Sequence, residues 1–343
     1  MDNPLVAIVI LNFNGKKFLQ QFLPNVIGNS NEDWAQVVVA DNGSTDGSVA
    51  YLQAHFPNIK LLAWEENLGY AGGYNKALSQ IDATYFVLLN SDVEVTKDWL
   101  LPVVALLQSD DKVVAAQPKI LDYNRKDFFE YAGGSGGFLD VYGYPFAAGR
   151  VFDTVEKDNG QYNQQMPIFW ASGACLFVNA EAFWQVGGLD ADFFAHQEEI
   201  DLCWRLQRAG FEIFSCPTSE VFHVGGGTLN YANPHKTFLN FRNNLTMLSK
   251  NLSVGRLCWL LPQRLVLDGV AALQSVIKNK SFGDLWAILK AHFAFYLSIP
   301  SIIKKRKAVN LPYTLPVTMY KRSVLWKYFI ERKKTVRELF KIG

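Results

Sequence analysis

Residues Tyr85–Val93 read YFVLLNSDV, five apolar residues running into Asn90-Ser91-Asp92. A continuous apolar run closed by polar residues predicts a strand buried on both faces, as in the middle of a parallel sheet. Its carboxyl end would open into the crevice where α/β sheets bind ligands, and an acid there can hold a hard cation against a diphosphate. Asn, Ser and Asp are also common turn formers, so the tripeptide alone allows a simple strand-ending turn. The neighbouring segments decide between the two.

Upstream, Leu5–Leu11 (LVAIVIL), Gln36–Ala40 and Ile59–Trp64 read as three more strands, and Lys112–Gln117 as a fifth. Helical spacing of apolar residues predicts helices over Lys16–Ile27, Ser48–His55, Tyr70–Ile81 and Thr96–Gln108. This alternation with short links predicts a parallel, Rossmann-like sheet with right-handed crossovers. Asn12, Asp41, Asn67 and Asp92 each stand just beyond a strand's carboxyl end. Four polar side chains on one rim argue for a polar ligand site rather than four unrelated turns.

Two nucleotide-binding alternatives lack their motifs. The place for GxGxxG after the first strand reads Asn12-Phe13-Asn14-Gly15, and no GxxxxGK[ST] loop exists. The glycine-rich stretch Gly69-Tyr70-Ala71-Gly72-Gly73 follows the third strand instead.

From 118 to 170 the alternation gives way to Gly, Tyr and Phe, which predicts loops and irregular antiparallel strands. Phe169–Val178 reads as another strand, and a helix is expected from Glu198, with Asp201 and Arg205 spaced for an i,i+4 pair. Acids in a first helical turn complement the dipole without any chemistry, yet Glu198 and Glu199 sit in an apolar setting that suits a general base. His223 has an equally open reading, structural or ligating; Gly225, Gly226 and Gly227 behind it would allow a ligand close to the backbone.

The net charge of +1 conceals an asymmetry. Residues 1–250 hold 16 Lys and Arg against 28 Asp and Glu, whereas 251–343 hold 17 against 4. A mixed polar helix is expected over Asn233–Leu252, followed by aromatic-rich helices over Leu257–Ile277 and Leu285–Ile303. Lys304-Lys305-Arg306-Lys307, Lys321-Arg322 and Arg332-Lys333-Lys334 accompany them. Such helices beside basic clusters suit the interface of an anionic membrane, while Lys290, His292 and Pro300 argue against a spanning helix over 285–303. A helical subdomain with a solvated basic face is the alternative. Expected domains are therefore 1–252 and a basic, apolar helical region over 253–343. The start Met1-Asp2-Asn3-Pro4 lacks a signal peptide's charged opening, and Cys175, Cys203, Cys216 and Cys258 read as reduced thiols.

Taken in order, VILNFN at 9–14, VADNGSTDG at 39–47, NLGYAGGYN at 67–75, LLNSD at 88–92, GGLD at 187–190, EEIDLCWR at 198–205 and VFH at 221–223 resemble the family 2 glycosyltransferases of GT-A-type fold. Within that family the similarity is to bacterial rhamnosyltransferases and galactofuranosyltransferases of surface polysaccharide synthesis. The resemblance spans about residues 5–250. It implies an α/β, Rossmann-like nucleotide-diphospho-sugar transferase sheet with a C-terminal helical appendage. It also implies inverting transfer from a nucleotide-diphosphate sugar, dTDP- or UDP-linked, to a polyprenyl-diphosphate-linked saccharide. Such an enzyme would sit at the inner face of the cytoplasmic membrane, with no nucleic-acid partner.

By the same resemblance Asp41 contacts the nucleotide base, and Asn12, Asn67, Gly69, Gly73, Asn90 and Ser91 belong to donor binding. Asp92 matches the last acid of the DxD motif and binds a divalent metal, Mg or Mn, with His223 as an additional ligand. Glu199 matches the base, with Glu198 beside it. Two departures stand out: DxD reads Asn-Ser-Asp, and the usual Glu-Asp pair reads Glu198-Glu199. Which of the two acids acts stays open, as does the identity of the sugar. A non-catalytic sugar-nucleotide or carbohydrate-binding module on the same fold is the competing class; it would not need the acidic pair or His223.

Overall fold

The computed structural model describes residues 5–225, 233–279, 281–309 and 311–341. In chain order the first half runs β1 Val6–Asn12, α1 Lys16–Gly28, β2 Ala35–Asn42, α2 Ser48–His55, β3 Lys60–Trp64, α3 Gly69–Leu78, β4 Tyr85–Asn90, β5 Val93–Val95 and α4 Leu100–Ser109. Next come β6 Val113–Asp122, β7 Arg125–Phe129, four short strands (β8 Gly137–Leu139, β9 Pro145–Ala147, β10 Arg150–Val151, β11 Thr154–Val155), β12 Met166–Pro167 and β13 Cys175–Asn179. The chain continues with α5 Ala180–Gln185, α6 Glu198–Arg208, β14 Glu212–His223, α7 Pro234–Asn251, α8 Val254–Asn279, α9 Phe282–Ala308 and α10 Val336–Phe340.

Helices cover both faces of the large sheet, which explains why its strands read as unbroken apolar runs. On one face Val6, Ile8, Ile10, Val87 and Leu89 meet α1 and α4; on the other Ala7, Val9, Phe86 and Leu88 meet α3, α5 and α6. Each fully buried aliphatic side chain of this kind contributes roughly 1.5–3 kcal/mol.

The strand order is β12-β14-β6-β13-β4-β1-β2-β3. Strands β3, β2, β1 and β4 are parallel as expected. Beyond them β13 inserts antiparallel between β4 and β6, which leaves the expected fifth strand, β6, parallel to the first four. Apolar periodicity carries no direction, and the long excursion over 118–170 lets the chain return either way. That region begins later than expected, since β6 runs on to Asp122, and β8–β11 form a separate small antiparallel sheet. Helix α4 starts at Leu100 rather than Thr96 because Val93–Val95 pairs with β14. All four cysteines are free thiols.

The long C-terminal helices form a hairpin that packs chiefly through α7. Asp268 is buried between α8 and α9, paired with Arg264 at 3.1 Å and His292 at 3.2 Å. By length and composition alone both α8 and α9 could cross a membrane, and α9 runs through Pro300 without ending. Their outer faces expose Trp259, Val266 and Val270, and Phe282, Trp286, Phe293 and Leu297. The basic cluster at 304–307 is only partly free. Lys305 pairs with Asp190 and Asp192, and Arg306 donates to the carbonyls of Ser249 and Leu252.

Residues 311–341 leave the hairpin and return to the body. Met319, Tyr320, Val324, Tyr328, Val336 and Leu339 join the same core as Phe138 and Phe146. Asp140 is the fastener: its carboxylate accepts the amides of Tyr142 (2.9 Å), Tyr144 (2.8 Å) and Val324 (2.9 Å). Replacing it with Ala would orphan three amides, and Asp140→Ala is expected to cost about 3 kcal/mol in urea unfolding. A loss below about 0.5 kcal/mol, the size of an ordinary surface change, would show that the tail is not fastened there.

Candidate active site

The rim begins where β1 and β2 end in register, Asn12 opposite Asp41. Both are buried. Asn12 Nδ2 donates to Asp41 Oδ2 at 2.8 Å and to Ser44 Oγ at 3.1 Å, and the Ser44 amide donates to Asp41 Oδ1 at 2.9 Å. The other amide atom, Asn12 Oδ1, is buried with no hydrogen-bond partner among the described residues. A Cβ on Gly15 would come within 2.5 Å of that oxygen and 3.3 Å of Ser91 Oγ, so the glycine lets the ends of β1 and β4 converge.

Asn42, given no role in the sequence reading, fixes the loop after β3. Its Nδ2 donates to Asn67 Oδ1 and to the Gly69 carbonyl, both at 2.9 Å, and its Oδ1 accepts the Leu68 amide at 3.1 Å. Asn67 Oδ1 also accepts the Gly69 amide at 2.8 Å, so part of its side chain is used in shaping the loop. Gly69 has φ +71°, and a Cβ there would strike the Phe194 ring. Gly73, one turn on, seats α3 against Leu11 and Asn42; its place is in the packing beneath the rim.

The second group is assembled by β5 and β14. Their antiparallel pairing sets Val93 opposite His223, which brings Asp92 Oδ1 within 3.1 Å of His223 Nε2. Asn90 Nδ2 lies 3.3 Å from the same nitrogen. On the other side of the ring, Nδ1 faces Glu130 Oε1 at 3.5 Å, while Glu130 Oε2 accepts the Ala132 amide at 2.6 Å. Sequence reasoning missed Glu130. An acid between Phe129 and Tyr131 was its one signal, since an acid in so apolar a setting has to be paired when buried. Gly226, Gly227 and Thr228 lie outside the described residues.

Burial would push His223 down, but the carboxylates of Asp92 and Glu130 outweigh it and take the imidazole up to about 10. Burial likewise opposes ionisation of Asp92, yet His223 holds it below the usual carboxylate range. His223's contribution to stability is complete below its ordinary 6.5 and is lost as pH rises through about 10. That of Asp92 is present above its ordinary 3.8 and is lost as pH falls below it.

The third group is the acidic pair at the start of α6. Phe194, His196 and Gln197 all take positive φ just before it, a strained run for non-glycine residues. Asn243 of α7 offsets the strain by donating to the carbonyls of Phe193 (2.9 Å), Ala195 (2.9 Å) and His196 (2.8 Å). The Phe194 carbonyl in turn accepts the Tyr70 amide at 2.6 Å, tying this loop to the start of α3. Glu198 is buried and Glu199 half-buried, each with a carboxylate oxygen that has no hydrogen-bond partner among the described residues. Burial raises Glu199 to about 7; burial and then the neighbouring Glu199 push Glu198 well above the usual range. Asp201 is different. It is clamped by Arg205 (2.9 Å), Lys250 (2.8 Å) and Asn251 (2.8 Å), and the expected i,i+4 pair is present.

Among the described residues no hydrogen bond or ion pair joins the acids to Asp92 or His223. The connection runs through Tyr70, whose hydroxyl lies in the field of both glutamates and donates to the Gly173 carbonyl at 2.6 Å. The next carbonyl, Ala174, accepts the Asn90 amide at 3.0 Å. In metal-free protein, histidine-selective NMR is expected to show one imidazolium that persists to about pH 9 and vanishes in His223→Gln, following from the raised pKa. Titration of that signal near 6.5, its ordinary value, would contradict the Asp92–His223–Glu130 arrangement.

The model of "Glycosyl transferase family 2" matches residues 7–187, more than half of the chain. A Mycobacterium tuberculosis protein described as an N-acetylglucosaminyl-diphospho-decaprenol L-rhamnosyltransferase is 27% identical over 295 residues, covering 81% of this chain and 94% of its own length. Rhamnosyltransferase WbbL of Escherichia coli is 22% identical over 226 residues, 64% of this chain and 83% of its own. Among solved structures, GalNAc-T7 with UDP, GalNAc and Mn²⁺ superposes with a TM-score of 0.58 at 14% identity, covering 91% of this chain and 59% of that longer one. The mannosyltransferase PcManGT from Pyrobaculum calidifontis, solved with GDP-Man and Mn²⁺, gives a TM-score of 0.51 at 15% identity, covering 90% and 87%. The structural likenesses fix the fold, and with the family match they give the conclusion that this chain belongs to glycosyl transferase family 2 and is a glycosyltransferase.

Proposed function

We propose that the protein transfers a deoxyhexose such as rhamnose, with inversion, from a nucleotide-diphosphate donor to a hydroxyl of a lipid-linked saccharide. The observation that carries the chemistry is Glu199: half-buried, unpaired at one oxygen, poised near neutrality, and close to the donor loop through Tyr70. A general base works best with a pKa near the operating pH. Glu199 takes the proton of the acceptor hydroxyl as that oxygen bonds to the anomeric carbon. The bond from that carbon to the diphosphate breaks on the opposite face, and its electrons leave with the nucleoside diphosphate. Glu198, deeper and pushed higher, stays protonated beside it.

Asp92 and His223 suit a divalent ion, Mg or Mn. Asp92 Oδ1 and His223 Nε2 face one another, and among the described residues no third His, Cys, Asp or Glu completes a metal-holding set with them, Glu130 lying on the far side of the ring. Such a short protein set is what a hard cation uses when phosphate oxygens and water complete its shell. When bound, the ion would supply positive charge against the leaving diphosphate. His223 would give up its Nε2 proton to ligate, with Glu130 steadying the ring from behind. Asp41, Asn12 and the loop held by Asn42 line the rim for the nucleoside and sugar.

The decaprenol-linked acceptor in the name of the mycobacterial relative supports a lipid-linked acceptor here. Exposed Trp, Phe and Leu side chains on α8 and α9 support docking at the cytoplasmic face of a membrane, the basic residues still free completing the attraction.

Glu199→Gln is expected to lower transfer by about 10²–10⁴-fold while donor affinity holds; unchanged turnover would overturn the assignment. Since the base acts deprotonated, kcat should climb as pH passes through about 7 and then level off. A rate that falls over that interval contradicts it. Asp92→Ala should abolish metal-dependent donor binding in calorimetry, and an unchanged titration would remove Asp92 from that role.

A further inference from the structure

Between α7, α9 and the loop that leads to Glu198 lies a cavity of about 270 Å³. Arg242 and Thr246 of α7, Ser298, Ser301 and Lys305 of α9, and Asp192 contribute to its lining. Arg242 is held on two sides: Nε donates to Asn243 Oδ1 at 2.8 Å, and Nη2 donates to the carbonyls of Asp192 and Phe193 at 3.0 Å each. Among the described residues its guanidinium has no carboxylate in ion-pair contact, and Nη1 makes no hydrogen bond. Asp192 in the same lining and Asp190 behind it offset part of this charge, but the unbonded Nη1 edge still offers donors to an anion in the cavity. Two more donors are within reach. Lys305 and Ser301 both bond to Asp192, whose side chain is 63% exposed, so those contacts exchange at little cost while Lys305 stays anchored on the buried Asp190.

The same stretch of α9 changes character across its width. Ala294, Ser298 and Ser301 face the cavity, while Phe293 and Leu297 are 67% and 68% exposed on the outer side. A cationic recess beside an apolar stripe matches a ligand with an anionic head and a long apolar tail.

We propose that this cavity holds the diphosphate of an isoprenoid-linked acceptor, with the prenyl chain along the exposed face of α9. This rests on the lipid-linked acceptor proposed above and adds where that acceptor is gripped. Arg242 binds the loop carbonyls with one edge and the diphosphate with the other. The head group thus lies against the segment that ends at Glu198 and Glu199.

The test compares two acceptors carrying the same saccharide, one on a prenyl diphosphate in detergent micelles and one on a simple alkyl group, using full-length protein. The readout is the ratio of their kcat/KM values. Arg242→Gln, and independently Ser298→Phe, which fills the recess and keeps the arginine, are expected to lower that ratio at least about tenfold, the loss of one charge-assisted contact. A ratio unchanged in both variants, with rates for the two acceptors falling together, would reduce Arg242 to a holder of the loop and overturn the subsite. Flotation with phosphatidylglycerol vesicles free of acceptor forms a second arm. If Arg242→Gln abolishes vesicle binding there, the occupant is a phospholipid headgroup and the proposal is wrong. Should the unmodified protein show no preference for the diphosphate acceptor, the lipid-linked reading itself fails, a result distinct from loss of the subsite alone.

Discussion

Three backbone pairings, Val93 to His223, Glu94 to Phe222 and Val95 to Val221, join parts of the chain about 130 residues apart. Everything proposed for the diphosphate end of the site depends on them. Without that short antiparallel ribbon, Asp92 would close an ordinary strand and His223 would end another. The ribbon places a carboxylate against an imidazole, and Glu130 closes the far side of the ring. Two acids around one buried histidine also form a stable ion cluster without any ligand, which keeps the site shaped before a donor arrives.

At the opposite side of the site, order comes from the C-terminal helices. The loop before Glu198 holds three non-glycine residues at positive φ, a conformation costing roughly 1–3 kcal/mol at each. Asn243 and Arg242 gather its carbonyls, while Lys250 and Lys305 pull Asp190 and Asp192 towards α7 and α9. Asp190 is held well below the ordinary carboxylate range, burial being outweighed by those two lysines. Of the two helices that expose an apolar face, α9 also helps α7 to hold the loop before Glu198, through Lys305. In the proposed function, docking and chemistry would share that helix as a mechanical link.

Much of this was legible in the sequence, and the gaps have physical causes. Strand ends could be read because a strand covered on both faces is apolar until it stops, so Asn12, Asp41 and Asp92 stood out at the boundaries. The sense of β13 could not be read, because an unbroken apolar run looks the same in either direction. Asn42 was hidden by its neighbour, since adjacent polar residues at a strand end do not announce which turns inward. Glu130 sat in a region with no periodicity, where its partner, His223, was 93 positions away. The tail beyond 311 read as part of the basic helical region because its lysines and arginines mask the spaced apolar residues that enter the body's core. In the 304–307 cluster, charge composition gave the count but not the direction, and Lys305 and Arg306 turn inward.

The central claim is spatial: Asp92, His223 and Glu199 serve one pyrophosphate-bearing donor. Crystals grown with Mn²⁺ and a nucleoside-diphosphate sugar analogue test it most directly through anomalous scattering. The account predicts a single strong peak about 2.0–2.3 Å from both Asp92 and His223 Nε2, shared with diphosphate oxygens, with Glu199 facing the sugar's anomeric carbon. A peak bound elsewhere, or a donor seated with Glu199 on a surface remote from it, would contradict the account.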